Sequence, residues 1–265
     1  MPRIALLGFG NIGRTIAANL LKNSDPSYEI SALIRTTNRP VSALANIAFH
    51  FDIADVLAWQ PDLIVEAAGQ AAVSEYAPVC LAEGISFVAS SVGALADDHL
   101  FKKLATLAHR NKCRLIVPSG AVGGLDYLQS IKRFPDAKIT YESRKPVAAW
   151  LPELEALGIN VADIAEPLVL FSGPASEAAI KYPKNLNVAA TLALAGIGMI
   201  NTKVDVIVDP QARGNQHTVH AISAAGEFSM SILNSPSPDN PKTSWIVAEN
   251  IVSTVGRYFS PCWIG

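Results

Sequence analysis

Gly8, Gly10 and Gly13 stand in the run Gly8-Phe-Gly-Asn-Ile-Gly13, a G-x-G-x-x-G spacing. Glycines so placed suit one chemistry, the seating of a dinucleotide pyrophosphate on backbone amides. Gly8 permits a tight turn, Gly10 lets the backbone approach the phosphates, and Gly13 lets a helix pack closely on a strand. Asn11 and Ile12 fall where that helix would present its free amides and the positive end of its dipole. A glycine turn that binds nothing carries the same letters, so the flanks decide. Residues 4–7 before it form an apolar run suited to a strand buried on both faces. Ile12, Ile16, Leu20 and Leu21 after it recur at helical spacing. Strand, glycine turn and helix follow in the order that the mechanism requires.

The second chemical signal is an absence. A site that prefers NAD usually carries Asp or Glu about 20 residues past the glycines, to hold the ribose 2′-hydroxyl. Arg35-Thr-Thr-Asn-Arg39 stands there instead. Arg35 suits the 2′-phosphate of NADP, with Thr36, Asn38 or Arg39 helping through hydrogen bonds or charge. The plainer reading of Arg35 is a solvated loop residue. The expected cofactor is NAD or NADP, with acceptance of NADP favoured by Arg35. Ala68 and Gly69, in the run Glu66-Ala-Ala-Gly69, are small enough to let a cofactor come close.

These residues need a scaffold. Apolar runs suited to strands lie at 29–34, 62–66, 86–89 and 114–117. Helical patterns lie at 41–48, 53–59, 71–83 and 97–112. Strands alternating with helices predict an α/β fold, a Rossmann-type doubly wound parallel sheet with its ligands at the carboxyl ends of the strands. The glycine turn, residues 66–69, 90–94 and 118–126 would gather on that edge. The pattern then changes. Strand-like runs at 138–143, 204–209, 218–224 and 227–233 are interleaved with helical ones at 151–157, 175–182 and 188–195, which predicts a second, mixed α+β domain. The segment 234–241 is rich in turn formers and reads as a hinge or crossing. Beyond it Ser244, Val247, Ala248, Ile251, Val255 and Tyr258 make one helical stripe, with Thr243 as its N-cap. The expected domains are 1–119 for the dinucleotide, 120–241 for substrate, catalysis and dimerisation, and 242–265 as a helix packing back on the first.

Composition bounds the partners. The chain has 265 residues, half of them hydrophobic and 17% charged, with a net charge of −2. That is a folded chain with length for a real core, and its bulk charge draws it neither to nucleic acid nor to a membrane surface. No apolar run reaches the roughly 18 residues of a membrane span, and the first residues run straight into a strand rather than a secretory signal. Cys80, Cys113 and Cys262 show no metal-ligand spacing and read as reduced thiols of a cytoplasmic protein; no metal is expected.

By Asp126 these pieces make a familiar set, and the second half sharpens it. The chain resembles the L-aspartate dehydrogenase family. The resemblance is carried by the glycine turn, Val65-Glu-Ala-Ala-Gly69, Ser91-Val-Gly-Ala-Leu95 and Ser119-Gly-Ala-Val-Gly-Gly-Leu-Asp126. Further on it rests on Arg144-Lys-Pro146, Tyr182-Pro-Lys-Asn-Leu-Asn-Val-Ala-Ala190, Gly214-Asn-Gln-His217 and Asn240-Pro-Lys-Thr-Ser244. It covers essentially the whole chain, and the Pro-Lys-Asn-x-Asn and Asn-Pro-Lys-Thr-Ser segments are its specific parts. It implies oxidation of L-aspartate with NAD or NADP, through iminoaspartate, to oxaloacetate and ammonia, with a possible supply of iminoaspartate to NAD biosynthesis. It also implies a second domain like that of dihydrodipicolinate reductase, and a homodimer. Onto this sequence it carries His217 as the acid/base residue, and Ala121 and Asn187 as residues at the cofactor.

One departure from the family pattern bears on that histidine. The distance from it to the following Gly-x-Phe, here Gly226-Glu-Phe228, is longer than in the family. Counting back from Gly226 favours His220. Counting forward from Asn187, and the Asn two positions earlier, favours His217, which is the residue chosen. On a strand, an odd spacing puts the two side chains on opposite faces, so only one can serve. Taking a hydride from Cα requires a neutral amine, and hydrolysis of the imine requires an activated water; a histidine can serve both steps. A lone histidine is otherwise more often a structural one. The two carboxylates of aspartate call for cationic partners, and Lys145 and Lys242 are the candidates. A related reductase or dehydrogenase, of dihydrodipicolinate or homoserine type, and a nucleotide sensor without turnover are the competing readings.

Overall fold

The structure, a computed structural model, describes residues 1–23, 27–35, 46–182, 187–237, 240–262 and 264, without the side chains of 23 and 240–242. It divides into two compact units, 1–120 with 247–264, and 121–246.

The first unit alternates strand and helix. Its elements are β1 (Arg3–Leu7), α1 (Asn11–Asn23), β2 (Glu29–Leu33), β3 (Ile47–His50), α2 (Ile53–Ala58), β4 (Leu63–Glu66), α3 (Gln70–Ala82), β5 (Ser86–Ala89), α4 (Asp98–Arg110) and β6 (Leu115–Ile116). Six strands pair in the order β3-β2-β1-β4-β5-β6, all parallel. Ile4, Leu6, Leu63, Val65 and Phe87 are fully buried, because a parallel sheet is covered by helices on both faces. The order of strands reverses between β1 and β4, and that is where such a sheet opens a crevice beyond its carboxyl ends. Asp52 and Asp97 start their helices by accepting from the amides of Ala54 and of His99 and Leu100.

One expected helix is not there. Ile47 and Ala48, expected at the end of a helix over 41–48, belong to β3, which pairs with β2 from Ile30↔Ile47 to Leu33↔His50. Pairing supplied by a neighbouring strand overrides a weak local preference. The rest of that expected helix, 41–45, lies outside the described residues.

The second unit comprises α5 (Leu125–Ile131), β7 (Lys138–Lys145), α6 (Leu151–Ala156), β8 (Leu168–Pro174), α7 (Ala175–Lys181), α8 (Asn187–Ala195), β9 (Lys203–Val208), β10 (Asn215–Ser223), β11 (Gly226–Asn234), β12 (Pro236–Ser237) and β13 (Asn240–Ser244). Five strands form a mixed sheet in the order β11-β10-β7-β9-β8, with only β7 and β9 parallel. Its strands alternate. Val219, Ala221, Ile139, Tyr141, Val204 and Val206 join one core with Leu128, Trp150, Ala178 and Leu192 from the helices. His220, Ile222 and Glu227 are exposed. β8 is a strand that the sequence does not announce. It is an edge strand ending at Gly173-Pro174, and Pro is tolerated at an edge because one side of the ladder is open.

The strands β12 and β13 pair antiparallel, with Pro236 opposite Ser244. Thr243, expected as a helix cap, and Ser244, expected on the helical stripe, therefore lie in a strand. The segment expected as 242–265 begins with β13, and its helix α9 starts later, at Ile246–Phe259. That helix belongs to the first unit. Ala248, Ile251 and Val255 are buried in one cluster with Ile4, Ile16 and Leu20, each of the larger ones contributing about 1.5–3 kcal/mol of transfer free energy. Asn250 fastens it further, accepting from the Gly120 amide at 2.8 Å and donating to Ser119 Oγ at 2.8 Å. Among the described residues no helix is long and apolar enough to cross a membrane.

Candidate active site

In the first unit the glycine turn is built as its spacing demands. Gly8 has φ +97°, and a Cβ there would sit 2.8 Å from the Cβ of Ala68. Only glycine meets both conditions. A Cβ on Gly13 would collide with the carbonyl oxygen of Gly8, so the first turn of α1 lies directly on the glycine loop. Gly10 differs: a Cβ there meets nothing within 4 Å. Asn11 opens α1, half-buried, and Ile12 turns its side chain to the core, leaving its backbone as the part that a ligand could use.

A cavity of about 420 Å³ lies against this turn, lined by Gly8, Gly10, Ala67, Ala68 and Arg35 among others. Small side chains on the β4 loop and a cation at the end of β2 give it a floor for phosphates and one charge for a further anion. Arg35 is exposed, and Glu75 and Tyr76 of α3 line the same cavity. Gly69 has φ +116° and caps α3. The residues present fit a dinucleotide: close backbone approach, open space at Gly10 and a free helix start.

One residue beside this cavity is a surprise. Glu66, at the end of β4, is fully buried. Its Oε1 accepts from the amides of Ala68 at 2.8 Å and Gly69 at 2.7 Å, and from Ser91 Oγ at 2.9 Å. Its Oε2 accepts from the Ser91 amide at 2.9 Å. The sequence shows Glu66 only as a letter beside two alanines; its Ser91 partner lies 25 residues away.

In the second unit the register of β10 settles which histidine faces inward. Asn215, His217, Val219, Ala221 and Ser223 are buried, whereas His220 is exposed on the other face. His217 is opposite Ser143 of β7. The hydroxyl of Tyr141, two residues back along β7 on the same face, is 2.7 Å from His217 Nδ1. Burial pushes the Tyr141 hydroxyl well above its ordinary pKa, so it keeps its proton. A phenol hydroxyl can donate to a bare Nδ1 or accept from Nδ1–H, so it supports the imidazole in either protonation state. Burial, and then the Lys145 charge, lower the pKa of His217 to about 3, so the ring is neutral near pH 7.

Lys145 shares that face of β7 with Tyr141 and Ser143. It is buried, its Nζ lies 5.5 Å from the centre of the Trp150 ring, and burial lowers its pKa to about 8. The ladder runs as far as Lys145, two residues beyond the expected end at Ser143, because the Asp209 amide still bonds to the Lys145 carbonyl at 2.9 Å. Arg144 points the other way. It is held by Glu142 and Asp209, each at 3.0 Å. Ala121 is buried, and its carbonyl accepts from Asn234 Nδ2 at 2.8 Å. Asn234 is opposite Asn215, whose Nδ2 reaches Ser244 Oγ at 3.1 Å. Ala121, Asn234, Asn215 and His217 are thus linked through one end of the β10–β11 pair. Asn187 is the first residue of α8, half-buried. The side chain of Lys242 lies outside the described residues. In this unit Tyr141 and Asn234 are residues that sequence reasoning misses, as it misses Glu66 in the first. The period of two along β7, counted back from Lys145, is the signal that could have found Tyr141.

Known proteins similar to this chain in sequence or fold agree with that arrangement. A family model described as "Aspartate dehydrogenase, C-terminal" matches residues 126–258, and one described as "Homoserine dehydrogenase, NAD binding domain" matches residues 8–118. An L-aspartate dehydrogenase 2 of Bordetella pertussis is 49% identical over 264 residues, covering 99% of each chain. The L-aspartate dehydrogenase of Methanosarcina barkeri is 39% identical over 271 residues, covering the whole of both. The crystal structure of the aspartate dehydrogenase of Thermotoga maritima superposes with a TM-score of 0.79 at 27% identity, again over the whole of both chains. A dihydrodipicolinate reductase from Paenisporosarcina shares the fold at a TM-score of 0.50 and 14% identity, over 96% of this chain and 92% of its own.

Proposed function

Because the chain belongs to the L-aspartate dehydrogenase family, we propose that it oxidises L-aspartate with NAD or NADP, through iminoaspartate, to oxaloacetate and ammonia. The observation that carries this reading is the buried His217, hydrogen-bonded through Nδ1 to Tyr141 on the sheet face that also holds Lys145. The family model covers that whole segment. A bound nicotinamide supplies a hydride acceptor for the Cα hydrogen. The residues of the chain do the rest. His217 Nε2 takes a proton from the substrate ammonium, freeing the lone pair that forms the C=N bond as hydride leaves. It then passes that proton to solvent, takes one from the water that attacks the imine carbon and gives it to the nitrogen, which leaves as ammonia while the carbinol hydroxyl loses its proton to the solvent as C=O forms. Lys145, still charged below about pH 8, offers its ammonium to a substrate carboxylate. Burial is the larger cause of the low His217 pKa; a carboxylate beside Lys145 offsets the smaller one, the Lys145 charge. Lys242 is proposed as a second carboxylate partner, and Ala121 and Asn187 as cofactor contacts, on the resemblance. The same resemblance supports a homodimer and a supply of iminoaspartate to NAD biosynthesis.

The test is formation of reduced cofactor against a panel of amino acids. Turnover with L-aspartate and with no other member is expected. Turnover with homoserine in its place, or cofactor binding with no turnover on any member, would overturn the reading.

Cofactor choice has its own test. Arg35 at the end of β2 lines the cavity, in the position where an acid would select NAD. Arg35→Asp is expected to weaken NADP by roughly ten- to a hundredfold, about 1.5–3 kcal/mol for a lost charge-assisted bond, and NAD far less. Parallel titrations decide it, and equal losses for both cofactors would remove Arg35 from the 2′-phosphate.

A further inference from the structure

We propose that Glu66 is a positioning residue for the dinucleotide: its buried carboxylate ties the loop after β4 to the loop after β5 and so sets the wall of the cofactor cavity. The inference rests on the reading that this cavity takes the dinucleotide.

The end of a buried strand is a costly place for a carboxylate. Leu7 and Ala89, its neighbours in register on β1 and β5, are apolar, as the setting favours. A fully buried carboxylate is tolerated only when its oxygens are satisfied, and Glu66 meets that demand with four donors, all from two loops. Its own carbonyl accepts from Ser90 Oγ at 2.6 Å, so the second loop is pinned at both ends of the residue. What it holds on the other side is Ala68 and Gly69. Ala68 lines the cavity and presses on Gly8, and Gly69 starts α3. Without the carboxylate, the two amides would need other partners and the loop would be free to leave the glycine turn. The space for a pyrophosphate is therefore shaped twice, by the glycines from below and by Glu66 through Ala68 from the side. An apolar residue could close the core equally well, but it could not fix these amides.

The isosteric variant Glu66→Gln separates positioning from packing. With its oxygen kept toward Ala68 and Gly69, its NH2 must face the Ser91 amide, donor against donor. The dissociation constants of NADH and NADPH, followed by fluorescence well below the unfolding midpoint, are expected to rise about tenfold or more. The KM for L-aspartate should stay within about twofold, since the carboxylate partner invoked for it, Lys145, is in the other unit. A purely structural Glu66 would lower the unfolding midpoint and leave both dissociation constants in place; that result overturns the proposal. If Glu66→Gln does not fold, Ser91→Ala deletes one of the four bonds and should raise the same constants about threefold; unchanged constants there overturn it as well. Gly10→Val is titrated alongside. Defective binding by Gly10→Val with normal binding by Glu66→Gln sinks only the role of Glu66. Normal binding by both removes the dinucleotide from this cavity, and the inference with it.

Discussion

Gly10→Val should abolish binding of NAD and NADP, by about a hundredfold or more in affinity, in a protein that remains folded. The three glycines of the turn are not equivalent, and the structure says which can be changed without harm to the fold. Gly8 needs its positive φ, and a Cβ there would meet Ala67 and Ala68; a Cβ on Gly13 would collide with the Gly8 carbonyl. Changes at either confound binding with stability. At Gly10 no protein atom lies within 4 Å of an added Cβ. Valine there costs little in the empty protein, yet its methyl groups occupy the side from which a pyrophosphate must approach. Circular dichroism and thermal melting should match the parent, while titrations with both cofactors fail. Titrations as tight as the parent's would mean that phosphates are held elsewhere.

The two units differed in how openly their sequences speak, and the reason is physical. A parallel strand buried on both faces reads as an unbroken apolar run, so β1, β4 and β5 are visible as Ile-Ala-Leu-Leu, Leu-Ile-Val and Phe-Val-Ala. A mixed sheet that bears polar groups inward does not. The first buried positions of β10 are Asn215 and His217, polar letters at core positions, so the strand reads as beginning at Thr218 when it begins at Asn215. The polar letters that blur the strand are those of the candidate site, where fold rules and functional needs part company. Glu66 and Tyr141 were hidden for another reason. Tyr141 meets His217 across 76 residues, and Glu66 meets Ser91 across 25. Such pairs exist only once strands are in register, and one sequence does not print a register. The resemblance supplied His217 with no geometry attached; Tyr141, Lys145 and the buried face give it a chemical setting.

His217→Ala should lower turnover by about a hundredfold or more, the usual scale for a lost general base, with NADP affinity nearly unchanged. The imidazole has only to reach the amine or the attacking water, and the glycine turn lies in the other unit. The variant also removes the His217 hydrogen bond of the buried Tyr141 hydroxyl, at a cost of about 1–3 kcal/mol of stability, so folding is followed by circular dichroism. His220→Ala is the control carried by the same strand. His220 is exposed, opposite Ser229 and Thr140 and on the face away from Tyr141, so its loss should leave most of the turnover. A stability profile gives a second readout. His217 is lowered to about 3 in the folded chain, whereas an unfolded histidine titrates near 6.5. Between those values the unfolded state binds the extra proton, so the parent loses stability as pH falls through that window, and His217→Ala should lose less. Turnover and acid sensitivity should therefore both change in His217→Ala, while His220→Ala keeps most of its turnover. An inactive His220→Ala beside an active His217→Ala would overturn the assignment, and would mean that the count back from Gly226 identifies the acid/base residue.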